Sequence, residues 1–512
     1  MADSVVGALV RRKFFQSMGL LTALISALLV GSAIATGGLR TFTLVITVGF
    51  LVLWTLFSRE MWWLPMPIAV AFGGMVYFGF RVYVHEIALL LCIMALLPML
   101  AVGKGAPVKP RAPLPLAVYL LTVYLFLHMV ASVYVNRLDR AEGAGNIVRV
   151  YVNAIWPLLF LIVFHYQGST RYLRIALIGM FVASLLRVIM GLVTYYYPVM
   201  LYVPFINLVF APYYGAYDLR SSALQLALLS VCFACMQKRF VATIIHCLVF
   251  GTCTWLVMLG GGRLSLIMLF AIPVLAALVY RRFLALLVLG GLAVGIFIGL
   301  NHNPQILRGL PEVAQRTLSV LILKSPTQDI HEQVMLSDEW HQRLGELGRQ
   351  RWLGSWRTFV VGHRIHPFDE AFNELGPDYT SHMELMADIA SKMGAYESLL
   401  WTVLAVTGVL GAILYIIVFY DLVKPVVRPL LRERIRDPAH AFYFLAVYNV
   451  VVKTAFCWIA GGFPSQELLM AAIARVACED ERLKEATPAV AVAPVAAATP
   501  DARVMPPVIG RI

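Results

Sequence analysis

Long apolar blocks, separated by short polar or basic connections, occupy most of the sequence. Many of them reach the length of about 20 residues that a helix needs to cross a bilayer. We predict spans at residues 14–36, 40–58, 62–80, 83–103, 114–135, 146–167, 173–197, 221–237, 240–259, 264–280, 283–300, 396–420 and 438–461. A shorter apolar stretch at 465–478 is a candidate fourteenth span. The pattern predicts an all-α polytopic membrane protein with about 12 to 14 transmembrane helices.

One long polar segment, residues 301–395, interrupts this pattern. It holds 12 of the 28 acidic residues and six of the 11 histidines, and parts of it show helical periodicity. We therefore predict a large helical loop that forms a cap on the bundle. The predicted organisation is an N-terminal bundle of about eleven spans at 1–300, the cap at 301–395, C-terminal transmembrane helices at 396–478 and a disordered tail at 479–512.

Composition and charge sharpen this picture. The chain is 60% hydrophobic and 13% charged, with a net charge of +13, whereas soluble proteins carry about a quarter charged residues. If the N-terminus is cytoplasmic, one set of alternating loops holds 18 basic residues and the opposite short loops hold six. Basic residues collect in cytoplasmic loops, so the charge indicates membrane topology rather than a nucleic-acid partner. We predict a cytoplasmic N-terminus and an external, periplasmic cap.

Two arginines stand out at the predicted outer boundary of the bundle. Arg263 follows three glycines in the apolar run LVMLGGGRLSLIMLF, and Arg220 opens the span LRSSALQL. A charge inside a spanning segment is costly and is usually paired or functional. Guanidinium groups bind phosphate oxygens in a bidentate manner, so both arginines suit a lipid-linked diphosphate. The alternative is that each extends to lipid headgroups or pairs with a neighbour such as Asp218.

The cap offers candidates for a general base. His382 lies shortly before the span at 396–420, and Glu384 and Glu397 are nearby carboxylates. A neutral imidazole or a carboxylate can accept a proton from an attacking hydroxyl. The alternative for His382 is an ordinary surface histidine. Two further cations within spans, Arg187 and Lys453, are second-rank candidates for diphosphate binding.

The sequence gives little support for a metal or another cofactor. His363 and His366 stand close to Asp369 and Glu370, but no further partner completes a ligand set. A lone pair of cysteines two residues apart, Cys232 and Cys235, is more typical of helix packing. We expect no metal and no cofactor.

These features together resemble the O-antigen ligase and polymerase superfamily. The resemblance covers roughly residues 215–420 and is carried by LRSSALQL, GGGRLSL, a long outer loop with a histidine, and the glycine pair of GVLGAILYI. In that family, outer arginines bind the diphosphate of an undecaprenyl-linked glycan and a loop histidine is the proposed base. Carried over, these roles fall on Arg220, Arg263 and His382. The family spacing, counted back from Gly408, falls on Glu397 instead, so both residues stay candidates.

The resemblance implies a metal-independent glycosyltransferase of the bacterial inner membrane that acts at the periplasmic face. Its partners would be an undecaprenyl-diphosphate-linked glycan, membrane lipids and an acceptor, which could be a growing glycan, a lipid A core or a protein hydroxyl. A polymerase or a ligase is favoured over a protein O-glycosyltransferase. The leading alternative outside the enzymes is a flippase or other transporter of lipid-linked glycans, although the sequence has no visible internal repeat.

Overall fold

The structure is a computed structural model of the 512-residue chain. It describes residues 49, 53–55, 60–77, 81–101, 111–135, 141–196, 201–203, 208–211, 215–303, 305–322, 328–365, 382–457 and 462–486. The predicted span at 14–36, nearly all of the one at 40–58 and residues 487–512 of the predicted tail lie outside the described residues. Residues 479–486, which were predicted to belong to the disordered tail, are instead the end of a helix.

The described residues form 17 α-helices. The helices are α1 Pro65–Phe72, α2 Val84–Ala101, α3 Leu116–Val135, α4 Ala141–Gln167, α5 Leu173–Tyr196, α6 Gly215–Met236, α7 Phe240–Leu259, α8 Arg263–Val279, α9 Phe283–His302, α10 Gln305–Arg308, α11 Glu312–Leu318, α12 Gln328–Leu353, α13 Trp356–Val361, α14 His382–Lys392, α15 Leu399–Glu433, α16 Pro438–Ala455 and α17 Ser465–Ala486.

Seven of these helices are long and apolar enough to cross a membrane, namely α3, α4, α5, α6, α7, α9 and α15. Shorter apolar helices correspond to α2, α8 and α16. Large apolar side chains face outward along many of them, as expected where lipid rather than water is the solvent. The prediction of an all-α polytopic membrane protein is confirmed.

The segment predicted as a span at 62–80 differs from the prediction. Helix α1 is only eight residues long and ends at Gly73 and Gly74, whose φ angles of 64° and 78° are left-handed. The apolar residues that follow enter a small antiparallel sheet. Its strands are β1 Met75–Tyr77, β2 Arg81–Tyr83, β3 Leu201–Val203 and β4 Leu208–Ala211, in the order β2-β1-β4-β3. The sheet joins the connection after α1 to the connection after α5.

Helix α17 shows what the candidate fourteenth span is. It has 22 residues, so it is about 33 Å long, and it lies inside the bundle against α4, α15 and α16. Its second half carries charges that are paired within the protein. Asp480 binds the buried guanidinium of Arg111 at 2.8 Å and accepts a hydrogen bond from Thr170, and Glu479 pairs with Arg475 at 2.6 Å. The helix therefore contacts protein, not lipid, along most of its length.

A kink in α15 fixes the cap to the bundle. Gly408 has a φ of 65°, which opens the helix, and residues 360–363 of the cap pass directly against the opening. The backbone N–H of His363 donates to the carbonyl of Ala405 at 2.7 Å. Tyr124 of α3 donates its hydroxyl to the carbonyl of Thr407 at 2.6 Å and to that of Val361 at 3.2 Å. The carbonyls released by the kink are thus bonded within the protein.

Two further contacts hold the cap together. Helices α12 and α14 pack through a small apolar cluster that contains Leu344, Leu347 and Ala387. Beside it, Arg351 donates to Asp388 and to Ser391, at 3.0 Å in each case. Elsewhere in the cap, the Thr317 hydroxyl of α11 donates to the last turn of α7 at 3.0 Å. These contacts bring α11 and α12 over the start of α8.

Candidate functional site

Arg263 lies where the cap meets the bundle. It is the first residue of α8 and follows a tight turn at residues 260–262. Its guanidinium forms a two-point ion pair with the carboxylate of Asp338 on α12, with Nη1 to Oδ2 at 3.3 Å and a closer contact from Nη2 to Oδ1. A quarter of the Arg263 side chain and 60% of the Asp338 side chain are exposed, so the pair borders open space.

Arg220 reaches the same point from α6. A Cβ atom added to Gly262, the residue before Arg263, would lie 2.7 Å from Arg220 Cδ and 2.8 Å from Ser265 Oγ. A glycine at 262 therefore leaves the space that the Arg220 side chain occupies. The two arginines that the sequence singled out are neighbours in the structure.

A third arginine, Arg316 on α11, completes the group. Burial, followed by the nearby guanidinium groups of Arg263 and Arg220, lowers the pKa of Arg316, and the Asp338 carboxylate acts in the opposite direction. Its Nε is buried and has no hydrogen-bond partner among the described residues. We refer to Arg220, Arg263, Arg316 and Asp338 as the arginine cluster. The cluster brings three guanidinium groups and one carboxylate together where the cap meets the bundle.

Glu397 contacts two residues of α12, the helix that carries Asp338 of the arginine cluster. Its carboxylate accepts a hydrogen bond from Trp340 Nε1 at 3.2 Å and lies 3.6 Å from His341 Nδ1. His341 and Asp338 are three residues apart on α12, so their Cβ atoms are about 5–6 Å apart. Glu397 is 53% exposed and has a left-handed φ of 54°, which is unfavourable for a residue with a side chain. A half-exposed carboxylate and an imidazole thus lie along α12 from Asp338, the carboxylate that pairs with Arg263.

His382 is placed differently. It is the first residue of α14, and its side chain lies outside the described residues. Helix α14 packs on α12 through Leu344 and Leu347, and Leu344 is three residues from His341 on α12. Of the two candidates for the base, Glu397 is the one whose side-chain contacts are described, and they are with Trp340 and His341 of α12, the helix that carries Asp338.

The second-rank cations lie elsewhere. The Arg187 side chain is 2% exposed and lies over the ring of Phe72, 5.7 Å from its centre, and against Gly74 at the end of α1. Its helix meets α6 at Gly191, which packs on Leu219, the residue before Arg220. Lys453 lies in α16, and its side chain is outside the described residues.

The sequence offered His363 and His366 as a weak candidate pair of metal ligands, and the structure describes the first of them. His363 is buried, with Nε2 2.6 Å from the Tyr396 hydroxyl and Nδ1 2.5 Å from the carbonyl of Arg364. His366 and the carboxylates near it lie outside the described residues. In the part of the chain that is described, the group with metal-like spacing is Asp437, His440 and Glu481, within 4.8 Å of one another at the far end of the bundle. There Asp437 caps α16 and accepts two hydrogen bonds from His440.

Three residues of the site were not predicted from the sequence: Arg316 and Asp338 of the arginine cluster, and His341 beside Glu397. Arg316 has no local pattern that marks it, because it is one of several polar residues in a cap helix of only seven residues. A signal existed for the other two, since their spacing of three residues on a predicted amphipathic helix puts them on one face.

No family model matches the sequence, and no curated protein or solved structure shows significant similarity to the chain.

Proposed function

We propose that the protein is a glycosyltransferase of the bacterial inner membrane, with a glycan linked to undecaprenyl diphosphate as its donor. The acceptor is a second lipid-linked repeat or a lipid A core, as in the O-antigen polymerases and ligases that the sequence resembles. The observation that carries the proposal is the convergence of Arg220, Arg263 and Arg316 where the polar cap meets the bundle. The cap faces the periplasm, and the basic loops at the other end face the cytoplasm.

The arginine cluster suits a diphosphate for electrostatic reasons. Guanidinium groups remain charged at physiological pH and bind phosphate oxygens through two parallel hydrogen bonds. In the structure a carboxylate, Asp338, occupies this position on Arg263. Because the ion pair is partly exposed, it contributes little to stability, about 1 kcal/mol or less, and an incoming diphosphate can replace it. The lipid chain of the donor would lie between helices at the same level.

In the proposed reaction, the acceptor hydroxyl attacks the anomeric carbon of the donor sugar. The new glycosidic bond forms as the bond from that carbon to the diphosphate oxygen breaks, and the diphosphate leaves with the electron pair. Arg220, Arg263 and Arg316 stabilise the charge that develops on it. The hydroxyl proton passes to the carboxylate of Glu397, with His341 beside it. A single displacement inverts the configuration at the anomeric carbon.

The cellular test is the glycan profile of a strain that lacks this protein. We expect loss of the long surface or exported glycan and accumulation of lipid-linked precursor, restored by the wild-type gene. Single unpolymerised repeats in the precursor pool identify a polymerase, and full-length chains that stay on the lipid carrier identify a ligase. An unchanged glycan profile, or precursor that accumulates only on the cytoplasmic side as for a missing transporter, would contradict the proposal.

The second test concerns the base. Replacing Glu397 with glutamine keeps the size of the side chain but removes proton acceptance, so we expect kcat to fall about 100-fold with little change in KM. The assay is transfer by purified protein in detergent, with extracted lipid-linked glycan as substrate. Glu339→Gln is the matched control, because Glu339 is an exposed carboxylate on the same helix, α12. Normal turnover of the Glu397 variant, together with a large loss in His382→Asn, would assign the base to His382 instead.

A further inference from the structure

A cavity with a different character lies at the end of the bundle opposite the cap. Its volume is about 560 Å³, and it lies between the second half of α15 and the turn that joins α8 to α9. Five cationic side chains and two apolar ones line it: Arg281, Lys424, Arg428, Arg432 and Arg434, with Val427 and Leu431. Its described lining contains no carboxylate.

The sequence arranges these cations on one surface. Lys424, Arg428 and Arg432 follow each other at intervals of four residues on α15, which puts them on one face of the helix. Arg281 and Arg434 approach from the ends of two helices. Like charges four residues apart on a helix repel each other, and the cavity brings two more cations to the same place. In the described part of the chain, no carboxylate lies within ion-pair distance of any of the five.

Two of the five cations occupy backbone conformations that favour glycine. Arg281 has a φ of 53° and lies two residues after the end of α8, and Arg434 has a φ of 63° and directly follows α15. Helices commonly end in glycine in this conformation, because a side chain there is unfavourable. Among the described residues, the other non-glycine with a positive φ is Glu397 of the candidate active site. Arginine at both positions retains a guanidinium at the cavity where glycine would fit the backbone better.

We propose that this cavity binds a phosphate group, and that its source is the headgroup of an anionic phospholipid. Clustered cations between transmembrane helices at the membrane surface suit a phosphodiester, which neutralises several of them at once. The apolar border favours a lipid as the source. Leu431, which lines the cavity, is 44% exposed and provides an apolar surface for acyl chains. General enrichment of basic residues in cytoplasmic loops would not require a cavity.

The test uses full-length protein purified into nanodiscs that contain equal amounts of cardiolipin, phosphatidylglycerol and phosphatidylcholine. Retained lipid is counted by native mass spectrometry after release. We expect the wild-type protein to retain the anionic lipids selectively, and the double variant Arg428→Gln, Arg432→Gln to lose about 30-fold in relative affinity. Lys238→Gln, Arg239→Gln is the matched control, because these two exposed cations lie at the same end of the bundle but outside the cavity.

The outcomes distinguish a phospholipid from a soluble molecule as the source of the phosphate. Neither measurement requires glycan transfer. A parallel titration with pyrophosphate in lipid-free detergent tests a soluble ligand. Binding of pyrophosphate that requires Arg428 and Arg432, without selective retention of phospholipid, would support a phosphate site and reject the lipid as its source. Equal losses in the cavity variant and the control variant, or no preference of the wild-type protein for anionic lipids, would overturn the proposal.

Discussion

Replacing Arg263 with alanine is expected to reduce the rate of glycan transfer about 1000-fold, the upper range for removal of one group that stabilises charge in a transition state. The diphosphate gains negative charge as the glycosidic bond to it breaks, and Arg263 borders the open side of the arginine cluster. Arg220 and Arg316 would remain, so the loss should be incomplete. The transfer rate of Arg263→Lys should lie between the rates of the wild-type protein and of Arg263→Ala, because an ammonium keeps the charge but cannot form the two-point contact.

The measurement is single-turnover transfer by purified protein with extracted lipid-linked glycan. Arg308→Ala is the matched control, because Arg308 is an exposed arginine of the cap next to α11 and should leave the rate unchanged. Circular dichroism and gel filtration show whether the Arg263 variant is folded. A folded Arg263→Ala protein that consumes lipid-linked glycan at the wild-type rate would remove the basis of the proposed function.

The arginine cluster illustrates how far the sequence could predict a site. Arg263 was detectable because three glycines and a charge interrupt an apolar run, and Arg220 because it opens a span. Their contact across Gly262 depends on how α6 packs beside the turn before α8, and the periodicity of either helix carries no information on that packing. Arg316 comes from a separate cap helix, so only the tertiary fold brings it to the others.

The membrane-spanning elements were predictable where lipid is the neighbour. Helix α9 is apolar on every side, and its 20 residues match the predicted span closely. Hydropathy is less informative for α17, because protein surrounds this helix and its charges are neutralised by partners such as Arg111. Hydropathy also gave a wrong prediction at 62–80, where two left-handed glycines end α1 although apolar residues continue. Hydropathy reports the transfer of a side chain to lipid, and α17 is mainly in contact with protein.

Glycine 408 connects the sequence resemblance to the architecture of the cap. The glycine pair in α15 was noted only as a family feature, but the structure gives Gly408 a physical role. A Cβ atom there would lie 2.3 Å from the carbonyl oxygen of Val360 and 2.6 Å from the amide nitrogen of Gly362. Both contacts are with backbone, which cannot rotate away as a flexible side chain can. The close approach of cap and bundle therefore requires glycine at this position.

Replacing Gly408 with alanine is expected to lower the free energy of unfolding by roughly 3 to 5 kcal/mol, through the left-handed φ and the backbone overlap together. The cap would lose its packing contact with α15, including the hydrogen bond from the His363 backbone N–H to the Ala405 carbonyl. Glu397, at the entrance to the same helix, would lose its position as well. We therefore expect a lower thermal midpoint in detergent, faster proteolysis within residues 301–395 and little transfer activity.

Two companion variants test whether this effect belongs to the kink. Gly290→Ala lies in α9 with open space around it, so alanine should leave stability unchanged or raise it slightly. Tyr124→Phe removes the hydroxyl that bonds the carbonyl of Thr407, and should cost about 1 kcal/mol. If the effect arises from the contact of the cap with the kink in α15, the loss of stability should increase from Gly290→Ala through Tyr124→Phe to Gly408→Ala. If the alanine variants at 290 and 408 unfold at the same temperature, the cap does not dock on α15 in this way, and the position of Glu397 relative to the arginine cluster loses its structural support.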